Sequence, residues 1–437
     1  MYNPVPYINF LHFMPRFIDL FAGAGGLSEG FIRAGYTPIA HVEMNKEACD
    51  TLKTRAAFHY LKRIGSLDIY ERYLREKKEK EDGSKLWNQV PKQVIDSVIQ
   101  EAIGENTIND LFTKIDGLKG NNSVDIIIGG PPCQAYSVAG RARLGTRVEE
   151  DPRNELYKYY VKFIEYYRPK MFVFENVMGI KTAKGGGPFE DLQRLVRELG
   201  YEIEPREQIA SNFGVLQKRH RMIIVGWKTA ENGIPTNYHY PDLSPCETKY
   251  KIARDLFYDL PERKSNDGNL CECVEYTQPL SEMQYLKESG IRGELNFTTQ
   301  HVSRFNNELD REIYTTAVKM LQEKGEKINY AKLEPRLQKH KNKDKFLNRF
   351  NVVDPNGCSH TIVAHIAMDG HYYIYPTPNP TIENARSITV REAARIQSFP
   401  DDYFFEGSRT AAFRQIGNAV PVMMSYNIAL SLLNQLK

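Results

Sequence analysis

Apolar positions along the chain fall into short runs, several of them closed by glycine, proline or an acid. Phe17-Ile18-Asp19-Leu20-Phe21 predicts a strand, and Ala22-Gly23-Ala24-Gly25-Gly26 follows it at once. Leu27, Phe31 and Ala34 are then spaced for one face of a helix that Gly35-Tyr36 ends. Pro38 to Val42 predicts a second strand, closed by Glu43. Val124 to Ile128, Met171 to Phe174 and Met222 to Gly226 predict three more buried strands. Helical patterns cover 156–167 and 192–199, and a closing helix covers Met423 to Leu433. Thr389 and Glu392 have the spacing of a capping box at a further helix start, with Pro400 as its end.

Strand, glycine turn, helix is the opening of a nucleotide-type site, because glycines admit a ligand and a helix start offers free amides. The spacing here is G-x-G-G and misses the dinucleotide fingerprint, so a plain tight turn stays open as the alternative. Glu43 ends the second strand about 20 residues after the glycines, where a ribose diol is usually held. An ordinary exposed carboxylate is its other reading. Gly129-Gly130-Pro131-Pro132 must stop the strand before it, which leaves Cys133 in a rigid loop at a strand's carboxyl end. A buried structural cysteine is the competing reading. Glu175 sits at another strand end, and Arg219 and Arg221, two apart before a strand, suit an anion or a carbonyl oxygen.

Composition narrows the classes. The chain has 437 residues, 41% hydrophobic content and a net charge of +3, so a real core is expected and any polyanion site must come from local clustering. Six cysteines in this length do not form a disulfide framework, and a reducing, cytoplasmic setting is expected. No signal peptide and no membrane span are expected. Tyr70 to Lys85 reads as a solvated, mixed-charge helix or loop. From about 230 to 385 apolar periodicity weakens and Tyr, Asn, Lys and Pro rise. The cationic run Arg336 to Arg349 suggests basic loops there, and Val363 to Tyr375 suggests strands. Cys271-x-Cys273 lacks a partner pair at ligand spacing, and no metal is expected.

Taken in order, these segments resemble the cytosine-5 DNA methyltransferases. FIDLFAGAGGLSEGF is similar to their first motif and GGPPCQAYSVAGR to their catalytic one. DPRNELY, ENV and QKRHR resemble the middle motifs, and RSITVREAARIQSFPDDY and QIGNAVP the last two. The resemblance covers most of the chain outside 58–110 and 230–350. It implies an α/β, Rossmann-like methyltransferase fold with a mostly parallel sheet and a second, smaller target-recognition domain. The expected division is 1–229 for cofactor and catalysis, 230–385 for target recognition, and 386–437 for a hinge and closing segment.

The same resemblance implies S-adenosyl-L-methionine as cofactor, held by Phe21, Ala22, Gly23, Gly25, Gly26, Glu43, Met44, Pro131, Leu156, Asn418 and Ala419. It implies double-stranded DNA as substrate and a restriction–modification setting, with a cognate endonuclease acting separately and the methyltransferase a monomer. Cys133 would add to cytosine carbon 6, since carbon 5 is otherwise a poor nucleophile. Glu175 would hydrogen-bond ring nitrogen 3 in its protonated form, which requires a raised pKa. Arg221 would hold the carbonyl oxygen and Arg219 a nearby phosphate or the loop. The base must be flipped out of the duplex, and 134–153 would close over it. Two features depart from the family pattern. The aspartate after the third strand has its nearest match at Glu105-Asn106-Thr107-Ile108, leaving the adenine contact unassigned, and 43–133 is longer than in compact relatives. An RNA methyltransferase on the same scaffold and a silent DNA-binding protein remain the competing functions.

Overall fold

The computed structural model describes residues 14–132, 155–181, 186–243, 248–339 and 347–436. Its main sheet contains β1 (Arg16–Leu20), β2 (Thr37–Glu43), β3 (Val98–Gln100), β4 (Ile126–Gly129), β5 (Met171–Asn176), β6 (Tyr201–Ile209) and β8 (His220–Lys228). A two-residue strand, β7 (Gln217–Lys218), precedes β8 and pairs with Ser359–His360 outside that sheet. The order is β3-β2-β1-β4-β5-β8-β6. The first five strands run parallel, and β8 lies antiparallel between β5 and β6. The α/β expectation therefore holds, with an antiparallel edge.

Both faces of the sheet are covered, which is why its strands are nearly all apolar. On one face Ile18 and Leu20 pack with Ile99, Ile127 and Phe172. On the other, Phe17 packs with Ile126 and Ile128, and with Leu27 and Phe31 of α1 (Gly26–Arg33). The closing helix Val422–Leu436 lies against α1, burying Met424, Ile428, Ala429 and Leu432. Gly30 permits that approach, since a Cβ there would come within 2.5 Å of Ser425. Contrary to expectation, the stretch Arg409–Leu436 is apolar enough to be weighed as a membrane span. It is two helices divided near Pro421, and its apolar residues line the protein core.

The 230–385 stretch contributes to two apolar clusters. Ile252, Leu256, Leu286, Ile291 and Val302 share one apolar cluster with Ile388, Val390, Phe399 and Val422. A separate small cluster gathers Ile313, Tyr314, Val318, Tyr330, Phe350, Ile374 and Ala385. Average composition cannot reveal this, because a few apolar residues set in polar chain decide which core a segment joins. Val363 to Tyr375 forms a 3-10 turn at Ala364–Ala367 and isolated bridges at Ile374, not strands. Within Tyr70 to Lys85, α3 (Leu67–Glu76) buries Tyr70, Tyr73 and Leu74, an i, i+3, i+4 stripe hidden among charges. Buried Lys77 pairs with buried Glu406 at 2.9 Å. Glu406 also accepts from Tyr73 at 2.6 Å and from Thr54 of α2 (Lys46–Arg63) at 2.7 Å.

Candidate active site

Strand order reverses at β1, with β2 and β3 on one side and β4 and β5 on the other. The carboxyl ends at such a switch point form the ligand crevice of an open α/β sheet. Phe21 leaves β1 with φ 57°, an uncommon value for a residue with a side chain. Gly23 follows at φ 54°, and a Cβ there would meet nothing within 4 Å, so the turn faces open space. Gly25 and Gly26 serve packing. A Cβ on Gly25 would lie 2.8 Å from Leu52 and from the Tyr403 hydroxyl, and one on Gly26 2.4 Å from the Val420 carbonyl and 3.0 Å from Ala419. The QIGNAVP segment is thereby seated on the glycine turn, with Ala419 buried and Asn418 exposed.

At the end of β2, the Glu43 carboxylate faces that turn. Its Oε2 accepts the Gly23 amide at 2.8 Å, and its Oε1 accepts those of Met44 at 2.9 Å and Asn45 at 2.8 Å. Met44 is 67% exposed, unusual for a large apolar side chain, and stands free beside the crevice. β3 pairs Gln100 with Glu43, and the Glu101 amide donates to the Glu43 carbonyl at 3.0 Å. The third strand thus ends at Gln100-Glu101-Ala102, and 105–108 leads into the helix Ile108–Lys119. Sequence reading missed this edge because a three-residue strand carries almost no periodic signal.

β4 ends on two glycines that let neighbours close in. A Cβ on Gly129 would sit 2.3 Å from the Leu20 carbonyl, and one on Gly130 2.7 Å from Glu175 Oε2. Pro131 is buried, Leu156 opens the helix Leu156–Tyr167 half-buried, and Cys133 and the 134–153 loop lie outside the described residues. Glu175, on β5, forms an ion pair with Arg221 of β8, Oε1 to Nε 2.7 Å, both side chains 14% exposed. Arg221 also donates to the His220 carbonyl at 2.8 Å.

Arg219 does not join them at the surface. It is almost wholly buried and donates to the carbonyls of Ile362 at 2.5 Å and Gly417 at 3.2 Å. Burial, with the nearby Arg221 charge, pushes its guanidinium well below the usual arginine pKa. A phosphate contact would require it to leave both carbonyls; as placed, Arg219 ties the link between β7 and β8 to the 362 segment and the last motif. Arg219 lies in the link between β7 and β8 and Arg221 on β8 itself, so strand alternation does not set the two side chains on one face. Arg336, at the head of the cationic run, is held by Glu312 and by Glu334, the latter at 2.8 Å. Lys341 and Lys343 lie outside the described residues.

Known proteins resemble the chain over most of its length. A family model described as C-5 cytosine-specific DNA methylase matches residues 15–79 and 87–434. The Type II methyltransferase M.Bpa9945I of Bacillus paralicheniformis is 38% identical over 442 aligned residues, covering 94% of this chain and 97% of that protein. M1.HphI of Haemophilus parahaemolyticus, another Type II methyltransferase, is 28% identical and covers 94% of this chain and 85% of its own length. Among solved structures, an E. coli prophage protein studied as a candidate DNA modification methyltransferase superposes with TM-score 0.60 at 23% identity, covering 97% and 99% of the two chains. The methyltransferase EhMeth of Entamoeba histolytica superposes with TM-score 0.53 at 15% identity over 98% of this chain and 100% of its own.

Proposed function

The chain belongs to the C-5 cytosine-specific DNA methylases, and on that premise we propose which of its residues bind, hold and react. It is a DNA (cytosine-5-)-methyltransferase. The methyl donor we assign is S-adenosyl-L-methionine, which when bound supplies an electrophilic methyl group. The chain's residues fit such a group. Gly23 leaves a cradle that any Cβ would narrow, Glu43 presents a carboxylate beside it, and Met44 offers an exposed apolar side chain to a purine face. Phe21, Ala22, Gly25 and Gly26 shape the turn, Ala419 braces it, and Pro131, Leu156 and Asn418 complete the lining. Gln100 to Ala102, at the end of β3, are the candidates for the adenine edge.

Cys133 adds its thiolate to carbon 6 of the flipped cytosine, which makes carbon 5 nucleophilic. The charge that builds on the ring spreads over nitrogen 3 and the carbonyl oxygen. Glu175 and Arg221 are the groups that meet those two atoms. The observation that carries this reading is their 2.7 Å pairing beside Gly130, three residues before Cys133. In the free enzyme the pair holds both side chains in place, and cytosine binding exchanges it for contacts to the ring. Arg219 positions this pair from behind instead of touching substrate. The Type II names of the relatives support a role in protecting host DNA beside a separate endonuclease.

Duplex DNA with 5-fluorocytosine at the site, mapped by 5-methylcytosine sequencing in an expressing host, tests the assignment. The enzyme should form an adduct that survives denaturing electrophoresis, requires cofactor, and disappears in Cys133→Ala. Labelled methyl appearing in tRNA and not in DNA would favour the RNA reading instead. An adduct in the alanine variant would move the nucleophile elsewhere.

A further inference from the structure

We propose that Met368, flanked by Val363, is an apolar wedge that enters the DNA duplex and occupies the space left by the flipped cytosine. This inference rests on the function proposed above. Residues 363–368 form a tight turn whose two sides differ. Ile366 and Ala367 are buried in the main apolar cluster, while Met368 is 72% and Val363 43% exposed. The exposed side chains are not on a floppy loop. Arg219 holds the Ile362 carbonyl at 2.5 Å, and Arg304 holds that of Ile366. The Val363 amide donates to the Tyr373 hydroxyl at 3.0 Å. Gly417 lies so close beneath that a Cβ on it would come within 2.4 Å of the backbone at 363 and 364. The turn is a rigid mount carrying two apolar side chains into solvent.

Its position ties it to the reacting pair. Arg219 links β7 to β8 and stands two residues before Arg221, which lies on β8. Thr361 donates to the Lys218 carbonyl at 2.8 Å, so the turn is also fastened to the chain just before that strand. The surroundings suit a polyanion. Lys218 is exposed, His220 is exposed and sits 2.6 Å from Glu207, and His365 lies on the turn itself, 3.1 Å from Asp369. A solvent-facing methionine near Lys218, beside the Glu175–Arg221 pair proposed to meet an extrahelical base, matches duplex DNA as occupant. Removing a base from the stack leaves an apolar gap, and inserted side chains of this kind hold such gaps open in bent or unstacked duplexes. Methionine is unbranched and polarisable, and it adapts to a base step.

The test compares full-length wild type, Met368→Ala and Met368→Leu on two duplexes containing the mapped site. One has the target cytosine paired with guanine, and the other has it mismatched, so that extrusion needs no wedge. On the paired duplex Met368→Ala should lose about tenfold in kcat/KM, a change of about 1.4 kcal/mol, while Met368→Leu stays near wild type. On the mismatched duplex the alanine variant should recover, and its cofactor affinity should equal that of wild type throughout. Fluorescence from 2-aminopurine at the target position should fall in parallel with the rate on the paired duplex. An alanine variant as fast as wild type, or equally slow on both duplexes, overturns the wedge. So does a shift in sedimentation showing that Met368 instead joins two copies of the chain. Wild type that methylates DNA while Met368→Ala is silent in every assay would sink this inference alone. Wild type that methylates no DNA would sink it together with the function it rests on.

Discussion

Two motif-bearing regions of this chain use charge in opposite ways. At the carboxyl edge of β1, β2 and β5, polar groups stand partly open. Gly23 faces empty space, Met44 is exposed, and the Glu175–Arg221 pair reaches solvent. In the segment 386–406, charged groups are just as dense and are nearly all enclosed. Arg386 pairs with Glu392 at 2.8 Å, and Arg395 with Asp259 at 2.5 Å and Asp401 at 2.6 Å. Arg391 spends its donors on the carbonyls of Thr299, Pro400 and Tyr403 at 2.8 to 3.0 Å. Both regions match the family, so motif identity does not separate chemistry from scaffold. Satisfaction does: a side chain whose every donor is already met inside the core holds the frame, and one with capacity left over can meet a ligand.

The sharpest way to break this contrast is to injure each side and read both stability and rate. Glu175→Gln removes the acid from the open side. Methyl transfer should fall about 10²–10⁴-fold, the usual worth of a positioned proton donor, with cofactor affinity kept. A loss below threefold in single-turnover rate would remove Glu175 from the chemistry. Arg395→Ala attacks the closed side. It leaves Asp259 and Asp401 buried without their partner, and denaturant unfolding should show a loss of about 3–5 kcal/mol. The molecules still folded should keep most of their kcat. If Arg395→Ala slowed the chemistry while unfolding at the wild-type denaturant concentration, the division between frame and site would be wrong.

A milder perturbation reaches the closed side through pH. Burial pushes the His301 and His360 imidazoles down to about 4. His301 is held between the Thr389 hydroxyl at 3.0 Å and the Pro261 carbonyl at 2.8 Å. In the unfolded chain each ring takes a proton near 6.5, so below that pH the unfolded state binds more protons and stability falls as pH drops toward 4. Between pH 7 and pH 5 each ring should cost about 2 kcal/mol. His360→Gln should flatten that slope by about one proton's worth, measured by denaturation at pH 7, 6 and 5. An unchanged slope would mean that the ring takes up its proton over the same pH range in the folded and unfolded states.

Local pattern carried the sheet and its turns. The strand at 17–20, its glycine turn and α1 stand where apolar spacing placed them, and Thr389 and Glu392 form the expected capping box. The helix at 156–167 has the expected bounds. What failed was long-range. Thr54, Tyr73 and Lys77 meet Glu406 across more than 300 residues of sequence, and no periodicity encodes such a meeting. Arg219 looked like a ligand because its type and spacing fit an anion. Only the fold sets two backbone carbonyls around it. β3 was missed for a third reason, since Val98-Ile99-Gln100 is too short to alternate.

Glu43 tests how much capacity a nearly satisfied group retains. A carboxylate offers about four acceptor positions. Two on Oε1 go to the amides of Met44 and Asn45, and one on Oε2 goes to Gly23. One position remains, enough for a single ribose hydroxyl and not for the diol that strand position alone suggests. The expected effect is correspondingly small: Glu43→Ala should raise the cofactor dissociation constant about tenfold, the scale of one charge-assisted hydrogen bond. Cofactor analogues lacking either the 2′ or the 3′ hydroxyl sharpen the reading, with calorimetry as the measurement. Against wild type, one analogue should bind about tenfold more weakly and the other nearly as well as the parent. Against Glu43→Ala the difference between them should vanish. Equal penalties for the two analogues in wild type would mean that the carboxylate gives up a backbone amide to hold both hydroxyls. No penalty for either would leave Glu43 as a staple between β2 and the glycine turn, on the closed side of the comparison.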